Sequence, residues 1–262
     1  MQVNNVQFEN FGQIIKESQM MIFNRQSAHR SYSFGISLVV MSLLIFACSC
    51  SNKTEDTGSK PVPESFSFLD LEVNSVFNHE LRGNLREQLG AEGIEKRTTI
   101  DLSVNYPDFL QEYFPKLYQL NKRLNYRPQE RIEHNITKLT YRYSRNTGKP
   151  FDLITAQFSN YSQRPLLIQI IMKDKPADMI DTLITKYGQP EIIQWTGRSG
   201  TSYAWEKHSD IFIVSDNVTR IGKPVTSISI YFVRNIEPLI EIEEKQIRQT
   251  LEEKKRAGET AF

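Results

Sequence analysis

The pattern of apolar and polar positions over residues 136–233 predicts a series of β-strands. Apolar and polar residues alternate over 136–144, and the further predicted strands are 151–158, 166–172, 191–195, 202–207, 211–215 and 227–233. Connections such as 196–201 and 208–210 are too short for a parallel crossover, which needs about a dozen residues. We therefore expect neighbouring strands of this region to be antiparallel.

The segment before these strands has mainly helical spacing. Four apolar residues lie four positions apart and stop at Gly90, and Asn74 or Ser75 is the expected N-cap; the four are Phe77, Leu81, Leu85 and Leu89. Apolar residues then alternate over 100–104, which predicts a short strand. A helical stretch follows Pro107 and reaches Leu124. Because Pro115 lies inside it, we expect a kink or two short helices.

Two further helices are predicted in the second half of the chain. One begins after Pro176 and ends at Gly188. The other begins near Glu237 and Pro238, and its charged end beyond Glu252 is expected to fray. Together these elements predict an α+β fold, with helices packed on an antiparallel sheet. The predicted parts are a mainly helical region at 66–135, a β-rich region with one helix at 136–236, and a C-terminal helix and tail at 237–262.

The most apolar stretch of the chain lies ahead of this domain. Residues 34–47 form an apolar run of 14 residues, preceded by Arg25 and Arg30, and no acid lies between Met20 and Glu55. A helix needs about 20 residues to cross a bilayer core. A basic flank, a short apolar core and a small residue at the exit are typical of a secretory signal peptide. The alternative is an uncleaved signal-anchor helix.

The end of the run, Ile45-Phe46-Ala47-Cys48, resembles the lipobox of bacterial lipoproteins. The resemblance implies that Cys48 is lipidated and becomes the first residue of the mature chain. Cys50 fits less well, since Ala47 would stand at the branched position and Ser49 before the site. A disulfide between the two cysteines would be strained, because one residue separates them.

The N-terminal region divides into three predicted segments. Residues 1–20 are polar and contain Glu9 and Glu17, which do not suit a signal peptide, so we expect translation to start at Met20 or Met21. Residues 21–47 form the leader. Residues 48–65 are polar and rich in small residues, which predicts a flexible tether between lipid and domain.

Charge and cysteine content exclude some classes of function. Removal of residues 1–47 takes three basic and two acidic side chains from totals of 32 and 31, leaving 29 of each. A neutral chain argues against nucleic-acid binding, which usually requires a basic excess. No cysteine follows Cys50, so neither a disulfide scaffold nor a cysteine metal site is expected.

The mature sequence contains no recognisable catalytic or metal-binding motif. His79, His134 and His208 lack metal-ligand spacing, and we expect His79 and His134 to be solvated and His208 to lie in a hairpin turn. The string at 197–202 differs from a nucleophile elbow, because Gly200 follows Ser199 directly. We expect a hairpin loop there.

Paired acids and tryptophans also suggest structural roles. The pairs Asp178/Asp181 and Glu241/Glu244 have helical spacing and are expected on outer faces. Trp195 and Trp205 lie on adjacent predicted strands, where they can stack across the strands within the core.

A second resemblance concerns 176–233. A helix ending in Tyr187-Gly188-Gln189-Pro190 precedes a meander containing Tyr203-Ala204-Trp205. This order is similar to the small helix-plus-meander domains of envelope lipoproteins of the outer-membrane assembly type. The resemblance implies a fold and no chemistry.

These observations predict a lipid-anchored periplasmic lipoprotein that binds or scaffolds another envelope component, without catalysis or cofactor. Its expected partners are the membrane and an envelope protein. Ser49 is not the aspartate that retains enterobacterial lipoproteins at the inner membrane, so the resemblance favours the outer membrane. The alternatives are a lipid-anchored hydrolase with a site assembled from scattered residues, such as Ser199, His208 and a carboxylate, and a single-pass membrane protein.

Overall fold

The computed structural model describes residues 63–125, 131–144, 148–173, 175–196, 198–218 and 222–261. The predicted leader, lipobox and most of the tether lie outside these residues. The strands are β1 (Ser67–Phe68), β2 (Leu71–Glu72), β3 (Gly93–Thr98), β4 (His134–Arg142), β5 (Phe151–Ser159), β6 (Pro165–Met172), β7 (Glu191–Gln194), β8 (Gly200–Lys207), β9 (Asp210–Val218) and β10 (Pro224–Tyr231). The helices are α1 (His79–Leu89), α2 (Phe109–Tyr113), α3 (Pro115–Leu124), α4 (Met179–Tyr187) and α5 (Val233–Ala261).

Strands β3–β10 form one antiparallel sheet in the order β3-β4-β5-β6-β10-β9-β8-β7, and β1 and β2 form a separate hairpin. The predicted α+β class with an antiparallel sheet is confirmed. The regions 66–135 and 136–236 both contribute strands to this sheet, because β3 pairs with β4.

Each face of the sheet has its own apolar core. The face that we call the front packs against α1, α4 and the β1–β2 hairpin, and its buried residues include Leu139, Ile168 and Phe212. The back face packs against α2, α3 and the first turns of α5, over residues such as Leu167 and Ile213. Because strand side chains alternate between faces, apolar residues at successive positions of β6 and β9 serve both cores.

The sheet consists of two similarly built halves that meet at the β6–β10 pair. Each half is a helix followed by four consecutive strands: α1 with β3–β6, and α4 with β7–β10. The helices end alike, at Gly90 with φ 95° and ψ −163°, and at Gly188 with φ 88° and ψ −172°. These left-handed φ values favour glycine. Each edge strand then starts three residues later, at Gly93 and at Glu191.

The first predicted helix has a later N-terminus than the sequence indicated. Neither Asn74 nor Ser75 caps it; Asn78 is the N-cap, and its side chain accepts a hydrogen bond from the Leu81 amide at 2.8 Å. Ser75 instead closes the turn after β2, where its hydroxyl accepts from the Glu72 amide at 2.9 Å. An Asx or Ser side chain can serve a turn or a cap, and spacing alone does not distinguish them.

The predicted strand at 100–104 is wrong, and the strand of this region is β3. Ile100 and Leu102 are fully buried, which produces the alternating pattern. Their backbone, however, bonds to α3 side chains: the Leu102 amide donates to Asn121 Oδ1 at 2.9 Å, and the Ile100 carbonyl accepts from Asn125 Nδ2 at 3.0 Å. The segment therefore crosses the back face as an extended loop.

Of two further helix predictions, one is confirmed and the other is wrong. The break at Pro115 is confirmed, since α2 and α3 are separate short helices that meet at Phe114. The start of the last helix is wrong by about one turn, because α5 begins at Val233 and contains Pro238 in its interior. The residues beyond Glu252 are helical to Ala261.

Candidate functional site

The structure separates the three histidines of the domain. His79 is exposed at the start of α1, and His208 is exposed in the two-residue turn between β8 and β9, both as predicted. The expectation for His134 is wrong. His134 is 4% exposed, and its Nδ1 lies 2.6 Å from Glu243 Oε2 of α5.

The His134–Glu243 pair has the geometry of a catalytic base with its orienting acid. Glu243 also accepts a hydrogen bond from the backbone amide of Asn135 at 2.9 Å, so it bonds to two successive residues of β4. A dyad of this kind acts on a nucleophile within about 3 Å of the free imidazole nitrogen. Among the described residues, His134 Nε2 is buried and has no hydrogen-bond partner. Because no described residue bonds to this nitrogen, the pair has no nucleophile to activate. Its role is structural: it holds α5 against the sheet.

The loop after β7 lies far from the histidines. Ser199 is exposed and immediately precedes β8, whereas His208 immediately follows β8. Eight strand residues at about 3.3 Å each separate them by about 25 Å. These two residues do not form one site. Gly197 lies outside the described residues.

The two tryptophans lie in the core, as expected, but they do not stack on each other. Trp195 packs in the back-face core and Trp205 in the front-face core. Trp195 donates to Ser202 Oγ at 2.9 Å, and Trp205 donates to the Gly188 carbonyl at 2.8 Å. The predicted cross-strand stack is wrong because the two side chains point to opposite faces of the sheet.

The acidic pairs have no common site either. Asp178 and Asp181 are exposed around the start of α4, as predicted. Glu241 is exposed, and Glu244 accepts two hydrogen bonds from Arg123 of α3, each of 2.9 Å. The Arg123 hydrogen bond outweighs burial and lowers the pKa of Glu244. Within the described residues, no cluster of three His, Cys, Asp or Glu side chains can hold a metal ion.

Besides His134 Nε2, three buried polar atoms of the described residues lack partners on the back face of β4 and β5. They are Thr140 Oγ1, Thr155 Oγ1 and Gln157 Oε1, each with less than 1 Å² accessible and no hydrogen bond within the described part of the chain. Thr140 and Thr155 are direct cross-strand partners. Such atoms lower stability and often mark functional positions. Because they are inaccessible, a ligand reaches them only if the surrounding side chains move.

A groove lies between α1 and the edge strand β3 on the front face. We call it the α1–β3 groove. Its volume is about 460 Å³, and the residues that line it are Phe77, Asn78, His79, Arg82, Ile94, Lys96, Thr137, Asn160 and Gln163. The sequence predicts none of these as site residues; of His79 it predicts only that the side chain is solvated.

The floor of the groove is held in place by its own hydrogen bonds. Phe77 stacks on Phe158 with ring centroids 4.5 Å apart, and the Phe77 amide donates to the Gln163 carbonyl at 2.7 Å. Thr137 Oγ1 donates to Asn160 Oδ1 at 2.7 Å, and Gln163 Nε2 donates to the Asn160 carbonyl at 2.9 Å. The groove is therefore preformed, which limits the entropy cost of binding.

The rim of the groove is positively charged. Arg82 and Lys96 line it, and no carboxylate does. Arg82 donates to Glu92 Oε1 at 2.7 Å, behind the rim. Burial alone would raise the pKa of Glu92, but the hydrogen bond and charge of Arg82 dominate and lower it. Among the described residues, the side chains of Lys96 and His79 have no hydrogen-bond or ion-pair partner.

These features define an α+β domain with a preformed, cationic groove at one sheet edge. No protein-family model, curated protein or solved structure matches the chain. No helix among the described residues is long and apolar enough to span a membrane.

Proposed function

We propose that this chain is a lipid-anchored lipoprotein of the bacterial cell envelope whose domain binds or scaffolds another envelope component without catalysing a reaction. The observation that carries the proposal is the leader that ends in Ile45-Phe46-Ala47-Cys48. Its apolar run of 14 residues at 34–47 is shorter than the 20 or so that a spanning helix needs. The lipid then replaces the leader as the membrane attachment.

The start of the folded domain supports attachment through a tether. The Pro63 carbonyl accepts from Lys207 Nζ at 2.7 Å, and the Glu64 carbonyl lies 3.2 Å from His208 Nδ1. The domain therefore begins within a few residues of the predicted tether boundary. Fourteen residues lie between Cys48 and Pro63, and the fifteen steps along the chain, at about 3.5 Å each, reach at most about 50 Å. This span lets the domain contact partners away from the bilayer surface.

The α1–β3 groove supports the binding role. It is preformed, accessible, and lined by two cations beside apolar Phe77 and Ile94. A site of this kind suits a partner with an apolar side chain and a nearby acid. An envelope protein is the partner that we propose, and the neutral net charge of the mature chain argues against nucleic acid. Ser49 after the lipidated cysteine favours the outer membrane, by resemblance to enterobacterial lipoproteins.

Acyl-chain labelling tests the anchor. We expect label in the wild type and in Cys50→Ala, and none in Cys48→Ala, which should accumulate with its leader attached. Cys50→Ala is the matched control, because it removes the neighbouring thiol and leaves the lipobox intact. Label that persists in Cys48→Ala and disappears in Cys50→Ala would assign the lipid to the other cysteine. Absence of label in all three would contradict the proposal.

A further inference from the structure

Strand β3 is an open edge of the sheet. Among the described residues it pairs with β4 alone, so its outer backbone groups are available to another strand. The regular pairing covers Gly93 to Lys96 and shifts register before Thr98, where Arg97 has a left-handed φ of 55°. Four residues of β3 can therefore accept an added strand in register, and the bulge limits extension beyond them.

The α1–β3 groove lies beside this edge on the front face. Ile94 and Lys96 point toward the groove and are two residues apart on β3. A strand added to β3 would run about 4.8 Å from it, and every second side chain of that strand would lie on the front face. One such side chain would meet Ile94, which is 40% exposed, and the next would meet Lys96. The groove thus offers an apolar position next to a cationic one.

The opposite edge strand, β7, provides a natural comparison. It occupies the equivalent place in the second half of the sheet, and its Ile192 is 59% exposed at the position that corresponds to Ile94. The space beside β7 is smaller, about 270 Å³, and two acids, Glu191 and Glu206, line it. Lys207 also lines it, and both acids lie at positions of their strands that face the back of the sheet. On the front face, Lys96 follows the exposed Ile94 at β3, whereas Gln194 follows the exposed Ile192 at β7. The front face of β3 therefore offers a cation to an acidic segment, and the matching position of β7 offers an uncharged amide.

We propose that the α1–β3 groove binds an extended acidic peptide segment of an envelope partner by addition of a strand to β3. This inference rests on the proposed binding role and names the chemistry of the partner. Backbone hydrogen bonds to the β3 edge supply affinity, while an aliphatic side chain beside Ile94 and a carboxylate beside Lys96 supply specificity. The side chain of Arg82, which also bonds to Glu92, completes the cationic rim.

The charged residues of β3 also fit a role in protecting the sheet edge, and the experiment must distinguish this role from peptide binding. Charged side chains and bulges on edge strands prevent unwanted pairing between sheets. Glu95, Lys96 and Arg97, together with the bulge after Lys96, meet that description. If protection is their only role, the edge resists strand addition whatever the charge of the peptide.

Peptide binding to the purified full chain, as the cell processes it, distinguishes these roles. The probe is fluorescein-labelled Thr-Val-Thr-Glu-Thr-Val-Thr, whose Val, Glu and Val side chains share one face in either strand direction. Matched probes carry Lys or Gln in place of Glu. We expect the Glu peptide to bind about tenfold more tightly than the Lys peptide, with the Gln peptide between them. Fluorescence anisotropy measures each dissociation constant.

N-methylation of the probe tests the strand geometry. One version is methylated at its threonine nitrogens, and the other at its valine and glutamate nitrogens. In a strand pair, alternate backbone N–H groups point toward and away from the neighbour. One methylated version must therefore lose binding while the other retains it. Equal effects of both versions would overturn strand addition.

Variants of the chain locate the site. We expect Lys96→Glu to reverse the preference between the Glu and Lys peptides, and Ile94→Ser to weaken binding about threefold to tenfold. Ile192→Ser, the matched change at the opposite edge, should leave binding unchanged. Hydrogen exchange of the bound wild type should slow at 77–82 and 93–98. This measurement needs no variant, so it stands even if one variant fails to fold.

Three results would overturn the proposal: no binding of the Glu peptide up to about 1 mM, equal affinity for all charges, or protection at 191–194 in place of 93–98. The peptide assay does not require a lipid on the chain. A failure of acyl labelling at Cys48 therefore refutes the anchor and leaves this assay intact. Absence of peptide binding refutes the groove assignment and leaves the anchor intact.

Discussion

At the scale of single residues, a buried ion pair joins the sheet to α5. Asp210 is fully buried at the start of β9, and it accepts hydrogen bonds from Arg234 Nη2 at 2.7 Å and Nε at 3.0 Å. The Arg234 backbone amide donates to the same carboxylate at 3.2 Å. Arg234 lies in the first turn of α5, so this contact fixes where the helix leaves the sheet. It also explains why α5 begins before Pro238.

Loss of Arg234 should be costly because it leaves a buried carboxylate without its cation. We expect Arg234→Met to lower the free energy of unfolding by about 2–4 kcal/mol. The matched control is Arg131→Met, which removes an exposed partner of Glu133 and should change stability by less than about 1 kcal/mol. Urea denaturation measures both. Equal effects of the two substitutions would show that Asp210 does not need its arginine.

The carboxylate of Glu92 should make stability depend on acidic pH. Its side chain is 2% exposed; burial raises its pKa, but Arg82 prevails and the net pKa lies below the ordinary value of 4.5. A group with a lowered folded pKa contributes stability above its unfolded pKa, and this contribution is lost as pH falls through the folded pKa. The relevant window therefore lies below about pH 4.5.

We expect Glu92→Gln to be less stable than wild type at pH 7 and to lose less of its stability between pH 5 and pH 3. Urea denaturation across this range gives the slope of unfolding free energy against pH for each protein. Other carboxylates, such as Glu244, contribute equally to both slopes, so the difference reports on Glu92. Identical slopes would show that folding does not lower the pKa of Glu92.

At the scale of elements, two glycines have opposite roles. Gly83 lies in the interior of α1, and a Cβ atom there would have no neighbour within 4 Å. Gly200 begins β8, and a Cβ atom there would lie 2.3 Å from Trp195 Cε3. The first glycine weakens its helix without a packing reason, whereas the second makes room for an indole ring.

Alanine substitution should therefore change stability in opposite directions. We expect Gly83→Ala to raise the free energy of unfolding by about 0.5–1 kcal/mol, because helix propensity improves. Gly200→Ala should lower it by about 1–3 kcal/mol through overpacking against Trp195. Urea denaturation followed by tryptophan fluorescence measures both. An unchanged Gly200→Ala would mean that Trp195 relocates at little cost.

The sequence predicts an element correctly when its burial pattern and its backbone hydrogen bonds belong to the same type of secondary structure. Strands β4–β10 have either alternating or continuously apolar sequences and are all paired, and Pro115 separates α2 from α3, although Pro238 lies within α5 without ending it. At Ile100 and Leu102 the pattern is misleading, since alternate burial arises in a loop whose backbone bonds to Asn121 and Asn125. Local spacing also missed β3, because five of its six residues are exposed and carry no alternation.

At the scale of the whole molecule, the candidate site could not be predicted because its parts are distant in sequence. Phe77, Lys96 and Gln163 come together only when α1 covers the sheet and β3 takes the edge position. The strand order depends on the pairing of β6 with β10, and the local sequence pattern does not specify this pairing. The burial of His134 likewise depends on α5 crossing β4. Single-residue reasoning placed His79 and His134 at the surface, and it was right only for His79.

The two halves of the sheet suggest how one molecule presents different edges. Equivalent strands β3 and β7 follow equivalent glycine-terminated helices, yet Lys96 follows Ile94 on the front face of β3, whereas Gln194 follows Ile192 on that of β7. The β6–β10 pair at the centre places these edges at opposite ends of the sheet. The β8–β9 turn holds the start of the domain through Lys207 and His208, away from the β3 edge that we propose as the binding site.

The most direct test of the account is the intact mass of the protein purified from the membrane fraction, with fragmentation of its N-terminus. The account predicts a chain that begins at Cys48 and carries acyl chains on that residue. A chain that retains the leader at 21–47 with an unmodified Cys48 would contradict it.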